Sequence, residues 1–291
     1  MQHKTEAFKA SDGTQLFSQL WSPEAPQAAL VISHGYAEHS QRYDAFARFL
    51  VEHGIAVYAL DHRGHGRSEG ERVNIKVFRQ YVHDLSRYIE RVRERHPNPP
   101  RFLFGHSIGG VIAAQLALEH PLQIEGLVLS AAHLQNAVSV PPLLLSVSGL
   151  VSRLLPGLPT LKLDTDLLSR DPAVVAAYRN DPLVYNGGTK ARIGKEMLDA
   201  GSYMLERAYS IKVPLLVLHG SEDRIAAAAG SQAFFDSAAS PDKTLKIYEG
   251  YYHEILNDIG KEEVYRDVLE WLQARLIHDQ PDGETSNKMA S

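Results

Sequence analysis

Cysteine is absent from the 291-residue chain. Disulfide staples, thiolate nucleophiles and thiolate-bound zinc are therefore excluded. Stability must come from packing, and a chain of this length is able to bury a large core, since ~250–300 residues is close to the ceiling for a single one. A surplus of positive charge is missing too. Thirty Lys and Arg face 35 Asp and Glu, a net charge of −5, so there is no basic footprint for nucleic acid and none is expected as a partner. The opening residues, MQHKTEAFKASDGTQ, lack the apolar stretch of a secretory signal, so the expected location is cytoplasmic. A run of ~20 apolar residues able to span a bilayer is also lacking. The nearest approach, residues 137–159, is interrupted by Pro141, Pro142, Gly149, Arg153 and Pro156.

That interrupted stretch still has a pattern. Leu143, Val147, Leu150, Val151, Leu154 and Leu155 recur at helical spacing on one face, which predicts a short amphipathic helix. The expectation is that this face packs on its own protein. Transient, peripheral contact with a lipid surface is the second hypothesis, and the few cations on the polar face predict little attraction to anionic lipid. The last residues, 279–291, are polar with Pro and Gly among them, and are expected to form a flexible tail.

Elsewhere short apolar runs alternate with helical patterns. The pair TEAFKA and TQLFSQLW, separated by Ser-Asp-Gly, predicts a hairpin at one sheet edge. AALVIS, IAVYAL, RFLF, EGLVLS, VPLLVLHG and TLKIYEG are strand candidates, with helical stretches between most of them. Near-continuous apolar strands in alternation with helices predict an α/β fold: a mostly parallel central sheet flanked by helices on both faces. The alternation stops after the sixth strand and resumes at VPLLVLHG. A strand-to-helix connection is ordinarily 2–6 residues, so residues 133–206 are expected to be an inserted helical cap, with a core made of 1–132 and 207–278.

The stretch Gly105-His106-Ser107-Ile108-Gly109 lies at the seam of a strand and a helix, and fits G-x-S-x-G. In that context the serine sits on a sharp, strained turn that lifts its hydroxyl above the sheet, and side chains at the two glycines would clash. Free N–H groups at the start of the helix favour developing negative charge, and the Ile108 N–H is one of them. A serine needs a base, and the base needs an orienting carboxylate. In this topology both belong at the ends of later strands, in the order Asp or Glu, then His. VPLLVLHG is followed by Glu222 and Asp223, and TLKIYEG by His253. Asp223 is preferred to Glu222 because its shorter side chain suits a buried turn. His34, His62, His65, His106, His133 and His219 also lie near strand ends, but none follows the last strand. The loop after AALVIS, with Gly35 to let the backbone turn, is expected to bring a second oxyanion donor, the Tyr36 N–H. His62 and His65 in DHRGHGRS are too few for a zinc site, and a glycine-rich loop is the preferred reading of that stretch.

The segments SHGYAEHSQRY, ALDHRGHGRSEGER, FGHSIGG, AYRNDPLVY, LHGSEDR and YEGYYHEILND together resemble the monoacylglycerol lipase and lysophospholipase group of α/β-hydrolases. The resemblance runs from about residue 31 to 258. It implies the α/β-hydrolase fold and a Ser107–Asp223–His253 triad. It also implies backbone oxyanion donors at Tyr36 and Ile108, and no metal or cofactor. Glu38, Arg42 and Tyr178 match residues close to the glycerol end of the family's pocket. Read from the chain alone, Glu38 and Arg42 are also an i, i+4 surface ion pair, and Tyr178 is packing. One departure bears on the head group: some members carry a second histidine three residues past the catalytic one, and Leu256 stands there, beside Asn257. The implied reaction is hydrolysis of a small lipid ester, a monoacylglycerol, with the acyl chain in a tunnel under an apolar cap. A lysophospholipase or general esterase is the alternative. An aminopeptidase for small residues would need a carboxylate pair to hold the substrate ammonium. A non-catalytic binder of this fold would be expected to have lost a triad member.

Overall fold

The structure, a computed structural model, describes residues 1–137 and 142–276. The flexible tail expected at 279–291 and the side chain of Leu143 lie outside the described residues.

The expected hairpin is present. Strands β1 (Gln2–Lys9) and β2 (Gln15–Ser22) pair antiparallel, with Lys9 opposite Gln15. The remaining strands of the sheet are β3 (Ala28–Ser33), β4 (Ile55–Leu60), β5 (Arg101–His106), β6 (Gly126–Ser130), β9 (Leu215–Gly220) and β10 (Lys243–Tyr248). The eight strands lie in the order β1-β2-β4-β3-β5-β6-β9-β10. β2 meets β4 antiparallel, and every pairing from β4 to β10 is parallel.

Five central strands, β3 to β6 and β9, are buried along their whole length, which is why they read as unbroken apolar runs. Their side chains divide between two cores. On β3, Ala29 and Val31 point into one, and Leu30 and Ile32 into the other. The first core is closed by α2 (Arg79–Arg95), α3 (Ile108–Glu119) and Phe234 of α7 (Ala228–Ser237). In α2, Tyr81, Val82, Leu85, Tyr88, Ile89 and Val92 recur every three or four residues and supply the buried stripe. The second core is closed by α1 (Asp44–Glu52) and α8 (Lys261–Ala274).

Between β6 and β9 the chain forms the cap. It comprises α4 (Pro142–Leu154), β7 (Pro159–Lys162), α5 (Pro172–Asn180), β8 (Gly188–Lys190) and α6 (Ala191–Arg207). The small β7–β8 pair was not foreseen in a segment expected to be helical. The amphipathic helix forms, but its expected packing does not. Val147 is 41% exposed, Leu150 62%, Leu154 66% and Leu155 56%, and the exposed series continues with Leu158 and Leu161. Four residues of the apolar face look into solvent, while Val151 is half-buried and Ser152 is buried.

The cap is stitched to the core at several points. The Tyr185 N–H donates to Ala37 O at 2.9 Å, and His39 Nε2 lies 2.9 Å from Asp181 Oδ2. Buried Asp258 accepts from Ser169 Oγ, Arg170 N and Arg170 Nε of the cap, and from Tyr252 N and Ile259 N of its own loop. Among the described residues, no helix is long and apolar enough to cross a membrane.

Candidate active site

Strand order reverses at β3. Its neighbour β4 leads one way, and β5, β6, β9 and β10 lead the other. In a parallel sheet the loops leaving two such strands diverge to opposite sides and leave a crevice at the carboxyl edge. The loops after β3, β5, β9 and β10 carry the sequence-derived candidates to that edge.

Ser107 follows β5 and caps α3 with φ 55° and ψ −123°, a backbone conformation that L residues rarely adopt. Close packing enforces it. A Cβ at Gly109 would lie 2.1 Å from Ser33 O and 2.4 Å from His34 O, and one at Gly105 would lie 2.4 Å from Gly109 O. The glycines expected from the motif are thus required by backbone-to-backbone approach. Ile108 begins α3, so its N–H is among those the helix cannot pair internally. The β3 loop closes on the same point: a Cβ on Gly35 would be 3.3 Å from Ser107 Cβ, 3.2 Å from His106 Cδ2 and 2.9 Å from Glu38 Oε1. Tyr36 is the next residue of that loop.

Asp223 and His253 meet. His253 Nδ1 lies 2.6 Å from Asp223 Oδ2, and both side chains are almost fully buried. The meeting depends on the loops behind them, where Ser221 N donates to Tyr248 O at 2.9 Å and Glu222 N to Tyr251 O at 3.0 Å. The N–H groups of Ile225 and Ala226 donate to Asp223 Oδ1 at 2.8 and 3.0 Å. Glu222, the competing carboxylate, instead faces Arg224 at the surface, 3.5 Å away. The His253 ring lies 4.9 Å, centroid to centroid, from that of His106, the residue preceding Ser107. With Nδ1 engaged by Asp223, Nε2 is the ring nitrogen left for proton exchange.

Electrostatics follow from this packing. Burial opposes ionisation of Asp223, but the imidazoles of His253 and His219 outweigh it and hold the carboxyl well below its ordinary range. Burial also opposes a charged His253, yet Asp223 overrides it, and His253 titrates above its usual value. His106 has no such partner; burial and then the neighbouring His253 bring it down to about 4.

Glu38, Arg42 and Tyr178 also come together, with a fourth residue that sequence reasoning missed. Arg42 donates from Nη1 to Glu38 Oε2 at 2.7 Å and to Glu254 Oε1 at 2.6 Å, and from Nη2 to Glu254 Oε2 at 2.6 Å. Both carboxylate side chains are only 4% exposed, so this is no surface ion pair. Glu38 Oε1 accepts from Gly35 N and from the Tyr43 hydroxyl. Burial pushes Glu38 up, but Arg42, the His106 and His34 imidazoles and the Gly35 N–H together outweigh it, and the carboxyl falls to about 2. The Arg42 guanidinium also stands 4.7 Å over the Tyr178 ring, and the buried Tyr178 hydroxyl has no hydrogen-bond partner among the described residues. The one available signal for Glu254 was its place beside His253.

His62 and His65 pack with His34 behind the β3 loop. His62 Nε2 is 3.0 Å from Ser33 Oγ, and His65 Nδ1 is 3.1 Å from Arg63 O. Among the described residues there is no group of three or more side chains able to hold a metal ion. An open groove of about 540 Å³ at the seam of cap and core is lined by residues including His39, Arg67, Asp181 and Leu183, and by none of Ser107, Asp223 or His253.

The chain is similar over most of its length to known hydrolases. The profile of the family described as serine aminopeptidase, S33, matches residues 24–260. A monoacylglycerol lipase of Mycolicibacterium smegmatis is 39% identical over 271 residues, 93% of this chain and 97% of its own. A human monoglyceride lipase is 36% identical over 269 residues, 91% of this chain and 89% of its own. The crystal structure of a monoacylglycerol lipase from Paleococcus ferrophilus superposes with a TM-score of 0.79 at 32% identity, covering 94% of this chain and 99% of that one.

Proposed function

Because the chain belongs to the serine aminopeptidase, S33, family of α/β-hydrolases, we propose that it is a carboxylester hydrolase that cleaves monoacylglycerols into glycerol and free fatty acid. The observation that carries the reading is the 2.6 Å contact between His253 and Asp223, with the His253 ring 4.9 Å from that of His106, which precedes a serine held at φ 55°. His253 Nε2 takes the proton of the Ser107 hydroxyl as Oγ attacks the ester carbonyl, and Asp223 stabilises the imidazolium that forms. The N–H groups of Tyr36 and Ile108 receive the oxyanion, each donor of such a pair contributing roughly 3–4 kcal/mol to the barrier reduction. The ester C–O bond breaks, and His253 returns its proton to the departing glycerol oxygen. Water, deprotonated by the same imidazole, then cleaves the acyl-serine and releases the fatty acid. No step calls for a metal or a cofactor.

Glycerol is favoured over a phosphate head group by the charge of the network beside the site. Glu38 and Glu254 outnumber Arg42, and three Arg42–carboxylate hydrogen bonds leave that cation little to offer an anionic ligand. The same contacts weigh against an aminopeptidase. A carboxylate pair exists, but an arginine already occupies the place a substrate ammonium would need. The unpartnered Tyr178 hydroxyl and the carboxylate edges of Glu38 suit a neutral polyol.

Contact with a lipid surface is supported by the solvent-facing Val147, Leu150 and Leu154 on α4 and Leu155 just after it. Such a row would deliver a sparingly soluble substrate to the cap, whose apolar interior is proposed to receive the acyl chain at ~0.8 kcal/mol per buried CH₂. Fluorophosphonate labelling with peptide mapping, run beside Ser107→Ala, tests the chemistry. A single adduct on Ser107, and loss of monoacylglycerol turnover by a folded Ser107→Ala, are expected. Retained turnover would end the assignment.

A further inference from the structure

Asp223 Oδ2 is shared by two imidazoles. Besides His253 Nδ1 at 2.6 Å, His219 Nε2 stands 3.1 Å away, and His219 is fully buried on the last turn of β9. His219 Nε2 also lies 3.1 Å from Ala226 O, and its Nδ1 lies 2.7 Å from the hydroxyl of buried Ser231 on α7. These contacts dictate the proton position. Nε2 faces only acceptors, a carboxylate and a carbonyl, so it carries hydrogen whichever way the Ser231 hydroxyl is turned. Asp223 then has four N–H groups around it: two main-chain donors on Oδ1, His253 bonded to Oδ2, and His219 Nε2, which is bonded to Ala226 O, 3.1 Å from the same oxygen.

We propose that Ser231 and His219 form a fixed second arm on Asp223 that positions its carboxylate and limits how tightly it binds the His253 imidazolium. This rests on the triad reading above. The physical need is clear. A carboxylate held only by its 225–226 turn could rotate about its Cβ–Cγ bond and present either oxygen, or neither, to His253. The N–H of His219 pins Oδ2 where His253 meets it. By drawing charge from the shared oxygen, it also weakens the grip on the imidazolium, so that His253 can surrender its proton to the leaving alcohol. His219 touches no reacting atom; it acts through Asp223.

The test compares His219→Leu, His219→Gln and Ser231→Ala, each normalised to active sites titrated with a fluorophosphonate. Leu removes the donor, whereas Gln can place an N–H close to the Nε2 position. His219→Leu is expected to lower kcat about 10- to 100-fold with KM little changed, as a misplaced catalytic group does. Its acid limb should also move to higher pH, because Asp223 then holds His253 alone. The other charged or titratable groups facing His253 are Glu254, Glu38, His106 and His133, and all stay in place. His219→Gln should restore both kcat and the limb to near wild type, and Ser231→Ala should shift both in the Leu direction by less. If His219→Leu does not fold, Gln and Ser231→Ala decide. Ser231→Ala with wild-type kcat and limb, or a Leu variant that loses only stability, would overturn the proposal. Failure of the wild type to label at Ser107 would instead remove the triad reading on which it stands.

Discussion

Replacing Arg42 with Met probes the buried ion network most directly. Methionine keeps much of the apolar stem and removes every N–H donor. Two carboxylates, each 4% exposed, then face one another without a cation. Removing one partner of a buried ionic group destabilises by about 3–5 kcal/mol. The titration of Glu38 points the same way. Its carboxyl is held at about 2 against an ordinary 4.5 by Arg42 first, then by His106, His34 and the Gly35 N–H, against the cost of burial. The sign follows from the depressed folded-state value. The stabilisation is complete above about 4.5, where an unfolded glutamate is ionised, and fades as pH falls toward 2. In Arg42→Met the largest lowering influence is gone and burial pushes the carboxyl up, so acid relieves the variant. Urea unfolding followed by circular dichroism at pH 7.5 and pH 4.5 is the assay. The expected gap from wild type is about 3–5 kcal/mol at pH 7.5 and clearly smaller at pH 4.5, with Glu38→Gln and Glu254→Gln added together recovering most of it. A gap under about 1 kcal/mol at pH 7.5, or one that does not narrow in acid, would refute the reasoning.

Three further outcomes are expected. His253 must be neutral to accept the serine proton, and Asp223 raises it above its usual value, so kcat/KM should climb with pH through a midpoint above 6.5; a midpoint at or below 6.5 contradicts the pairing. Gly109→Ala should lower Tm and soluble yield by the equivalent of at least about 1–3 kcal/mol, since the new methyl would meet two main-chain oxygens at 2.1 and 2.4 Å; a wild-type Tm would count against the packing argument. Leu150→Asp with Leu154→Asp should cut flotation with neutral phospholipid vesicles about tenfold or more, leaving turnover of a short soluble p-nitrophenyl ester intact, because each buried leucine contributes ~1.5–3 kcal/mol; unchanged flotation removes the surface reading.

The parts of the molecule legible in the sequence are those whose physics is local or ordered along the chain. AALVIS and IAVYAL are apolar because both faces of those strands are covered, and Gly105 and Gly109 announce a backbone approach that no other residue tolerates. His253 followed from chain order, and Asp223 from chain order together with its shorter side chain and the family resemblance. What stayed hidden depends on distant partners. Arg42 lies 212 residues from Glu254, and its i, i+4 spacing to Glu38 looked like an ordinary surface pair. His219 and Asp258 lie within the quoted segments LHGSEDR and YEGYYHEILND, but their contacts exist only once neighbouring loops fold over them. The strands Pro159–Lys162 and Gly188–Lys190 are too short and exposed to show a period-two signal. The α4 helix misled because periodicity identifies an apolar face without saying whether protein, lipid or water will meet it.

Asp258 has a mechanical consequence. One buried carboxylate ties residues 169–170 of the cap to the loop that carries the base, and Glu254 N adds a 2.8 Å bond to Leu168 O a few residues away. The roof and the imidazole share a tether. A shift of residues 168–170 would therefore be passed through Asp258 and Glu254 to the loop that holds the imidazole.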